Sequence, residues 1–319
     1  MISKHRIISK YKMQFAMLII FAILWTVFII TSPIVFLSEE VYHSLMSVIP
    51  FTGIMALSLT FVIICREFDL SFPSVMGFCS WVFSIIFQLT GNAALAMLGC
   101  LIMGAIAGFL NGILVVKVGI PSIVATIGTM FFWRGVIMVV TGGWGSTLPL
   151  KGTVFYNVLV GRIGFIPAQM LWFIVLTFVF WSTLNRHKFG AHVYYTGDNI
   201  ETAKLMGVNV DKVRILAFTQ MGVFAAFAGM LATLEVTYYW PTLGEGYLLR
   251  TMAAVFIGGT GPFGGTGTIL GTFIGSLIIG SLETGVLAMG FSGFWTQLVS
   301  GIVMILAIAF HAFLRGKPA

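Results

Sequence analysis

Arg66, Glu67, Asp69 and Ser71 stand together between two long apolar blocks, with Phe68 and Leu70 among them and Phe72 and Pro73 after them. A charge at membrane depth costs at least ~2.5–3.5 kcal/mol on insertion scales, so such residues face a partner or a water-filled cavity. Glu67, Asp69 and Ser71 are thus candidates to border a path for a polar solute. Pro73 suits the first turn of a restarting helix, with Asp69 or Ser71 as its N-cap. The alternative is a solvated turn. Glu235, Glu245, Glu283, Arg134 and Arg250 are further charges inside or beside apolar blocks, and the sequence does not pair them. A proton- or cation-coupled carrier would need a carboxylate at mid-membrane, and Glu235 or Glu283 could serve.

Catalytic constellations do not emerge. His5, His43, His187, His192 and His311 show no metal spacing on one helix face. Cys65, Cys79 and Cys100 have no C-x-x-C pairing and read as small core hydrophobes. Gly259, Gly261 and Gly264 satisfy G-x-G-x-x-G, but a dinucleotide fold needs a strand before it and a βαβ unit around it. Gly316-Lys317 lacks the upstream glycine of a phosphate-binding loop and is followed by Pro318. Any ATP must be bound by another subunit.

Two further segments carry information. Gly258, Gly259, Gly261, Gly264, Gly265 and Gly267 fall within eleven residues, too many for a stable helix. Irregular backbone at membrane depth is tolerated only where protein or water satisfies it. The polar stretch from Asp198 to Gly207 reads as a short helix. Asp198 and Glu201 resemble a capping box, and Gly207 sits where a helix-ending glycine would. So short a helix is marginal alone, and Ala203, Leu205 and Met206 are the residues a partner protein would meet, the alternative being a helix that lies on its own bundle.

The elements that position these segments follow from composition. The chain has 319 residues, 59% hydrophobic and 8% charged, with a mean hydropathy of +1.04. Soluble domains carry about 25% charged residues. Apolar blocks near 15–36, 46–64, 71–89, 93–116, 122–140, 169–185, 214–237, 248–260, 267–285 and 293–313 predict an all-α polytopic membrane protein of about ten spans, some short or broken. It reads as one transmembrane permease domain over 1–319, with residues 1–14 and the 186–213 loop outside the spans. Lys4, Arg6, Lys10 and Lys12 precede the first block; Arg186, Lys188, Lys204, Lys212 and Arg214 mark the 186–213 loop; Arg315 and Lys317 close the chain. By the positive-inside rule, residues 1–14, that loop and the C-terminus are cytoplasmic. Such charges are topology signals, and no basic face with interleaved aromatics suggests nucleic acid. Five spans on each side of the 141–168 segment start from opposite faces, which permits an inverted repeat. Gly104, Gly108 and Gly112, and again Gly267, Gly271 and Gly275, recur at four-residue spacing and predict close helix seams. Trp144, Tyr238, Tyr239 and Trp240 fall at outer span ends, as an interfacial belt does.

With these segments in view, the chain resembles the permease subunit of bacterial ABC importers for ribose and related monosaccharides. Asp69-Leu70-Ser71 matches the centre of that family's element after its second span. Ile257 through Thr268, followed by Gly271-Thr272, matches its glycine-rich element. Gly197, Asn199, Ala203, Gly207 and Asn209-Val210 match its cytoplasmic loop. Arg66, Glu67, Phe68, Phe72 and Pro73 replace smaller or aliphatic residues of the family. The resemblance implies a multi-pass inner-membrane transport subunit that is not itself an enzyme and binds no cofactor. Cytoplasmic ATPase subunits carrying ATP and Mg would dock on the Asp198–Gly207 helix. A solute-binding protein would deliver solute from outside, and a second permease copy or a paralogue would complete the path. Branched-chain amino acids, nucleosides or a signalling sugar are alternative cargoes, and a stand-alone ion-coupled carrier is the alternative class.

Overall fold

The computed structural model describes residues 12–315. Lys4, Arg6, Lys10 and Lys317, used above as sidedness signals, lie outside the described residues, as do the rest of 1–11 and Gly316 to Ala319. The chain is built almost wholly of helices: α1 (Lys12–Thr31), α2 (Pro33–Phe36), α3 (Glu39–Ile64), α4 (Phe72–Thr90), α5 (Ala93–Val116), α6 (Ser122–Thr141), α7 (Val154–Val160), α8 (Ala168–Arg186), α9 (Lys188–Asp198), α10 (Ile200–Leu205), α11 (Val210–Val236), α12 (Tyr247–Ile257), α13 (Ile269–Ala288) and α14 (Phe294–Arg315). Helices prevail because lipid gives the backbone no hydrogen-bond partners. Four two-residue strands, β1 (Ser146–Thr147), β2 (Arg162–Ile163), β3 (Ile166–Pro167) and β4 (Tyr238–Tyr239), pair as β1–β4 and β2–β3.

Among the described residues seven helices, α3 to α6, α8, α11 and α13, are long and apolar enough to cross a membrane. Shorter apolar stretches at Met17–Thr31, Tyr247–Ile257 and Phe294–Ala309 account for the remaining expected spans. Two expectations need correction. The span placed at 46–64 begins at Glu39 and runs unbroken through Pro50. The span placed at 248–260 is the 11-residue α12. At ~1.5 Å per residue it reaches about 16 Å, roughly half the hydrocarbon thickness.

Two central helices organise the bundle. In α3, 94% of the most apolar stretch is buried, against 22% in α6, whose Phe131 and Val139 point outward as lipid-facing residues do. Helix α11 packs along α5 and α4, whereas α3 packs along α13 and α12, and α3 and α11 pack on each other. Each half thus lends its long helix to the other half. The order of a long helix, a break, a shorter helix and two spans runs through α3–α6 and again through α11–α14. That is the plan of an inverted repeat.

The glycine seams explain how these helices come so close. A side chain on Gly104 or Gly108 would strike the backbone of Gly222 or Phe218, and Gly112 meets Ile215, so the first trio seats α5 against α11. Gly271 and Gly275 lie against the carbonyls of Gly258 and Ala254, seating α13 against α12. Gly267, expected in that second seam, precedes α13 and packs against Ile64 and Thr260. On the outer side the β1–β4 pairing ties Ser146 to Tyr239 and Thr147 to Tyr238. Tyr239 is buried there, not part of an interfacial belt, while Trp144 is exposed.

Candidate functional site

The break between α3 and α4 is packed, not solvated. Asp69 and Ser71 are 2% and 0% exposed. The Ser71 backbone N–H and its hydroxyl both donate to Asp69 Oδ1, at 2.8 and 2.7 Å. Asn111 Nδ2 of α5 donates to Ser71 Oγ at 2.7 Å, and Thr129 Oγ1 of α6 donates to Asn111 Oδ1 at 2.7 Å. Ser71 therefore occupies the N-cap position of α4 without capping through its side chain. Its hydroxyl turns back to Asp69 instead. Glu67, also buried, pairs with Arg214 of α11. Phe68 N–H donates to Ser122 Oγ at the start of α6. Asp69 and Ser71 thus act as a bracket joining four helices, and their polar atoms are engaged with protein.

The cytoplasmic helix differs from expectation by one residue. Asn199, not Asp198, caps α10: its side chain accepts from Thr202 N–H at 3.0 Å. Asp198 is the last residue of α9, a helix the sequence reading did not place. Gly207 holds φ +79, and Gly207 and Val208 donate to the carbonyls of Lys204 and Ala203, a glycine-terminated helix end. Glu201 is exposed beside Lys204, 3.6 Å away. Ala203 is fully buried and faces inward, so it is not part of a contact surface. Leu205 and Met206, 89% and 55% exposed, lie on the outside of the helix.

The three segments singled out separately meet at one place. Gly265 N–H donates to Ile64 O, the end of α3, at 2.9 Å. Tyr194 of α9 donates its hydroxyl to Gly267 O at 2.8 Å. Burial raises the Tyr194 pKa, which keeps that donor protonated. The Arg66 guanidinium donates to the Asp198 carbonyl. Arg66 itself holds φ +63, a left-handed conformation costing an L-residue roughly 1–2 kcal/mol. Gly264 lies under the Arg66 side chain, and Gly197 lies against Ile64 O, where any β-carbon would collide. Gly258 ends α12, and Gly259 at φ +83 turns the chain out of it, while Gly261 lies close to Thr266. The run is irregular backbone, as expected of so many glycines, and at Gly264 and Gly265 it also allows close approach to the end of α3 and to Asp198.

A second break was missed. Residues 240–246 reach in from the outer side until Gly244, at φ +97, lies against the Pro73 carbonyl. Arg134 of α6 anchors this segment, donating to Pro241 O at 2.6 Å and Leu243 O at 3.1 Å. Pro241, Gly244 and Gly246 within six residues were the available signal. The two breaks therefore touch at the first turn of α4. The lone carboxylates also find partners: Glu283 pairs with Arg250 at 2.6 Å, and Glu235 accepts from Gln169 at 2.8 Å.

This arrangement of two interlocked halves with paired breaks accompanies a family match. The family described as "Branched-chain amino acid transport system / permease component" matches residues 41–308. The chain belongs to this permease family. Relatives include the autoinducer 2 import system permease protein LsrC of Yersinia pestis (strain Pestoides F), 32% identical over 263 residues, covering 82% of this chain and 74% of the relative. The LsrC of Yersinia enterocolitica is 33% identical over 264 residues, covering 82% and 72%. That of Salmonella choleraesuis (strain SC-B67) is 32% identical over 269 residues, covering 82% and 75%. No solved structure matches. The permease is a multi-pass inner-membrane transport subunit of an ABC importer, not an enzyme, and works with a separate ATPase and a solute-binding protein.

Proposed function

We propose that this permease carries a monosaccharide or similar small polar solute inward, with α10 as the docking element for the ATPase. The relatives named for autoinducer 2 import support a sugar-type cargo over a branched-chain amino acid. Two copies, or one copy with a paralogue, form the path. ATP and Mg reside on the ATPase pair, and the permease itself holds no cofactor.

The observation that carries this reading is the junction beneath α10. A six-residue helix presents Leu205 to the inner side, and the residue before its cap is gripped through its carbonyl by Arg66. Arg66 opens the break that leads to Asp69 and Ser71, and the glycine-rich turn lies across the same spot. A push or pull on α10 therefore reaches the break within a few bonds. On this reading Glu67, Asp69 and Ser71 hold the pivot of α4, and solute passes alongside rather than on their side chains.

Replacing Leu205 and Met206 by Glu puts charge on the docking surface without touching the buried face. Co-purification from native membranes should then lose the ATPase, while detergent-extracted permease stays monodisperse. Undiminished ATPase recovery would remove α10 as the docking element.

A further inference from the structure

A polar pocket of about 520 Å³ opens on the outer side, away from the junction. Its volume is in the range of small-molecule sites, ~300–1,000 Å³. His43 and Ser47 from the start of α3, Tyr156 of α7, Arg162 of β2 and Glu235 near the end of α11 form its walls. Gln169, fully buried at the start of α8, donates to Glu235 Oε2 at 2.8 Å and more weakly to Ser47 O at 3.4 Å, which aims the carboxylate. His43 is held against the edge of Phe165, with ring centres 6.1 Å apart.

On two of the lining residues a buried polar atom has no hydrogen-bond partner among the described residues: His43 Nε2 and Ser47 Oγ. Ser47 is only 5% exposed. Leaving a buried donor or acceptor unsatisfied is costly, so two on one wall call for partners supplied from outside the chain. The Tyr156 hydroxyl is raised in pKa by burial and next by Glu235, and lowered by Arg162, so both charges reach the same hydroxyl.

The mixture of groups selects the ligand class. An anion would meet the Glu235 carboxylate, and a cation would meet Arg162 and Lys151. A neutral molecule with adjacent hydroxyls can donate to Glu235 and accept from imidazole, serine and phenol together. We propose that this outer pocket is a binding site for a neutral polyhydroxylated solute, with vicinal hydroxyls on Glu235 and Ser47. The proposal depends on the import reading only for placing the pocket on the face from which solute arrives.

The test uses the full-length chain in lipid nanodiscs without ATPase, probed with tritiated ribitol and D-ribose. Wild type should bind at least one of them saturably. Glu235→Gln should weaken that binding about tenfold, the scale of a lost charge-assisted hydrogen bond, and Ser47→Ala by a smaller factor. Ribose 5-phosphate should compete poorly. As a second readout, Asn157→Cys places an exposed thiol on the pocket wall, while Cys65, Cys79 and Cys100 are all buried. Ribitol or ribose should slow its reaction with an impermeant maleimide. The proposal is overturned by absence of saturable binding, by equal binding in Glu235→Gln, by unslowed labelling, or by preference for the phosphorylated sugar. Failure of the import reading would appear separately, as missing ATPase in co-purification.

Discussion

Asp69 illustrates how a residue chosen for chemistry becomes architecture. Its carboxylate accepts from both the N–H and the hydroxyl of Ser71, and Asn111 and Thr129 extend the chain of bonds into α5 and α6. Asp69→Ala strands a buried N–H and should destabilise the permease by about 1–3 kcal/mol, whereas Asp69→Asn keeps an accepting oxygen and should cost less. Thermal unfolding in detergent measures both; equal losses would show that the bracket does not act through that oxygen. Glu67 and Arg214 make a stronger case. Arg214→Ala leaves a buried carboxylate unpaired, a change worth about 3–5 kcal/mol, and adding Glu67→Gln should recover most of it. No recovery in the double variant would mean that Arg214 matters for packing alone. The importance of Glu67 was legible, because apolar flanks make any charge conspicuous, whereas Arg214 read only as one of the loop's sidedness signals. Their pairing was not legible, since Glu67 and Arg214 lie far apart in the chain and only tertiary packing joins them.

Among the elements, the ends of the short cytoplasmic helix α10 were readable and its buried face was not. A cap is a local contract among neighbouring residues, so the Asp198–Gly207 stretch disclosed a helix and its glycine stop, missing the true cap, Asn199, by one position. Which side of six residues faces inward depends on what lies beneath, and Ala203 was placed on the wrong side for that reason. The distinction is measurable. Ala203→Glu forces a charge into a fully buried position and should lower the unfolding temperature of the permease itself, whereas Leu205→Glu should leave it unchanged. If both variants unfold alike, α10 lies differently on the bundle than described. The α12 half-span shows the converse problem. Its composition is that of a membrane helix, but its length is set by the glycines that follow and by the 240–246 segment that enters from outside. Apolar content alone cannot measure how far a helix reaches.

On the scale of the whole molecule, the span order and the N-in, C-in parity already permitted an inverted repeat, and the exchange of α3 and α11 between halves gives that permission a shape. The exchange was not readable, because pattern shows which face of a helix is apolar and not which neighbour covers it. Its consequence is mechanical. The inner break at Arg66–Ser71 and the outer segment at 240–246 touch through Pro73 and Gly244, so α4 is held at one end by elements exposed to opposite sides of the membrane. Arg66 is the link from α9 to that point, gripping the Asp198 carbonyl while holding φ +63. Arg66→Gly removes the grip and relieves the backbone at once, since glycine tolerates positive φ. Stability should therefore change little and the ATPase should still co-purify through Leu205 and Met206. Transport-coupled ATP hydrolysis and solute uptake should nevertheless fall together, by several-fold, in reconstituted vesicles. That split between intact docking and lost coupling is specific to a transmission link. Should uptake persist at the wild-type rate, motion must pass from α9 to the bundle through its packing on α3, α8 and α11, and the Arg66 contact would be only a fastening of the resting fold.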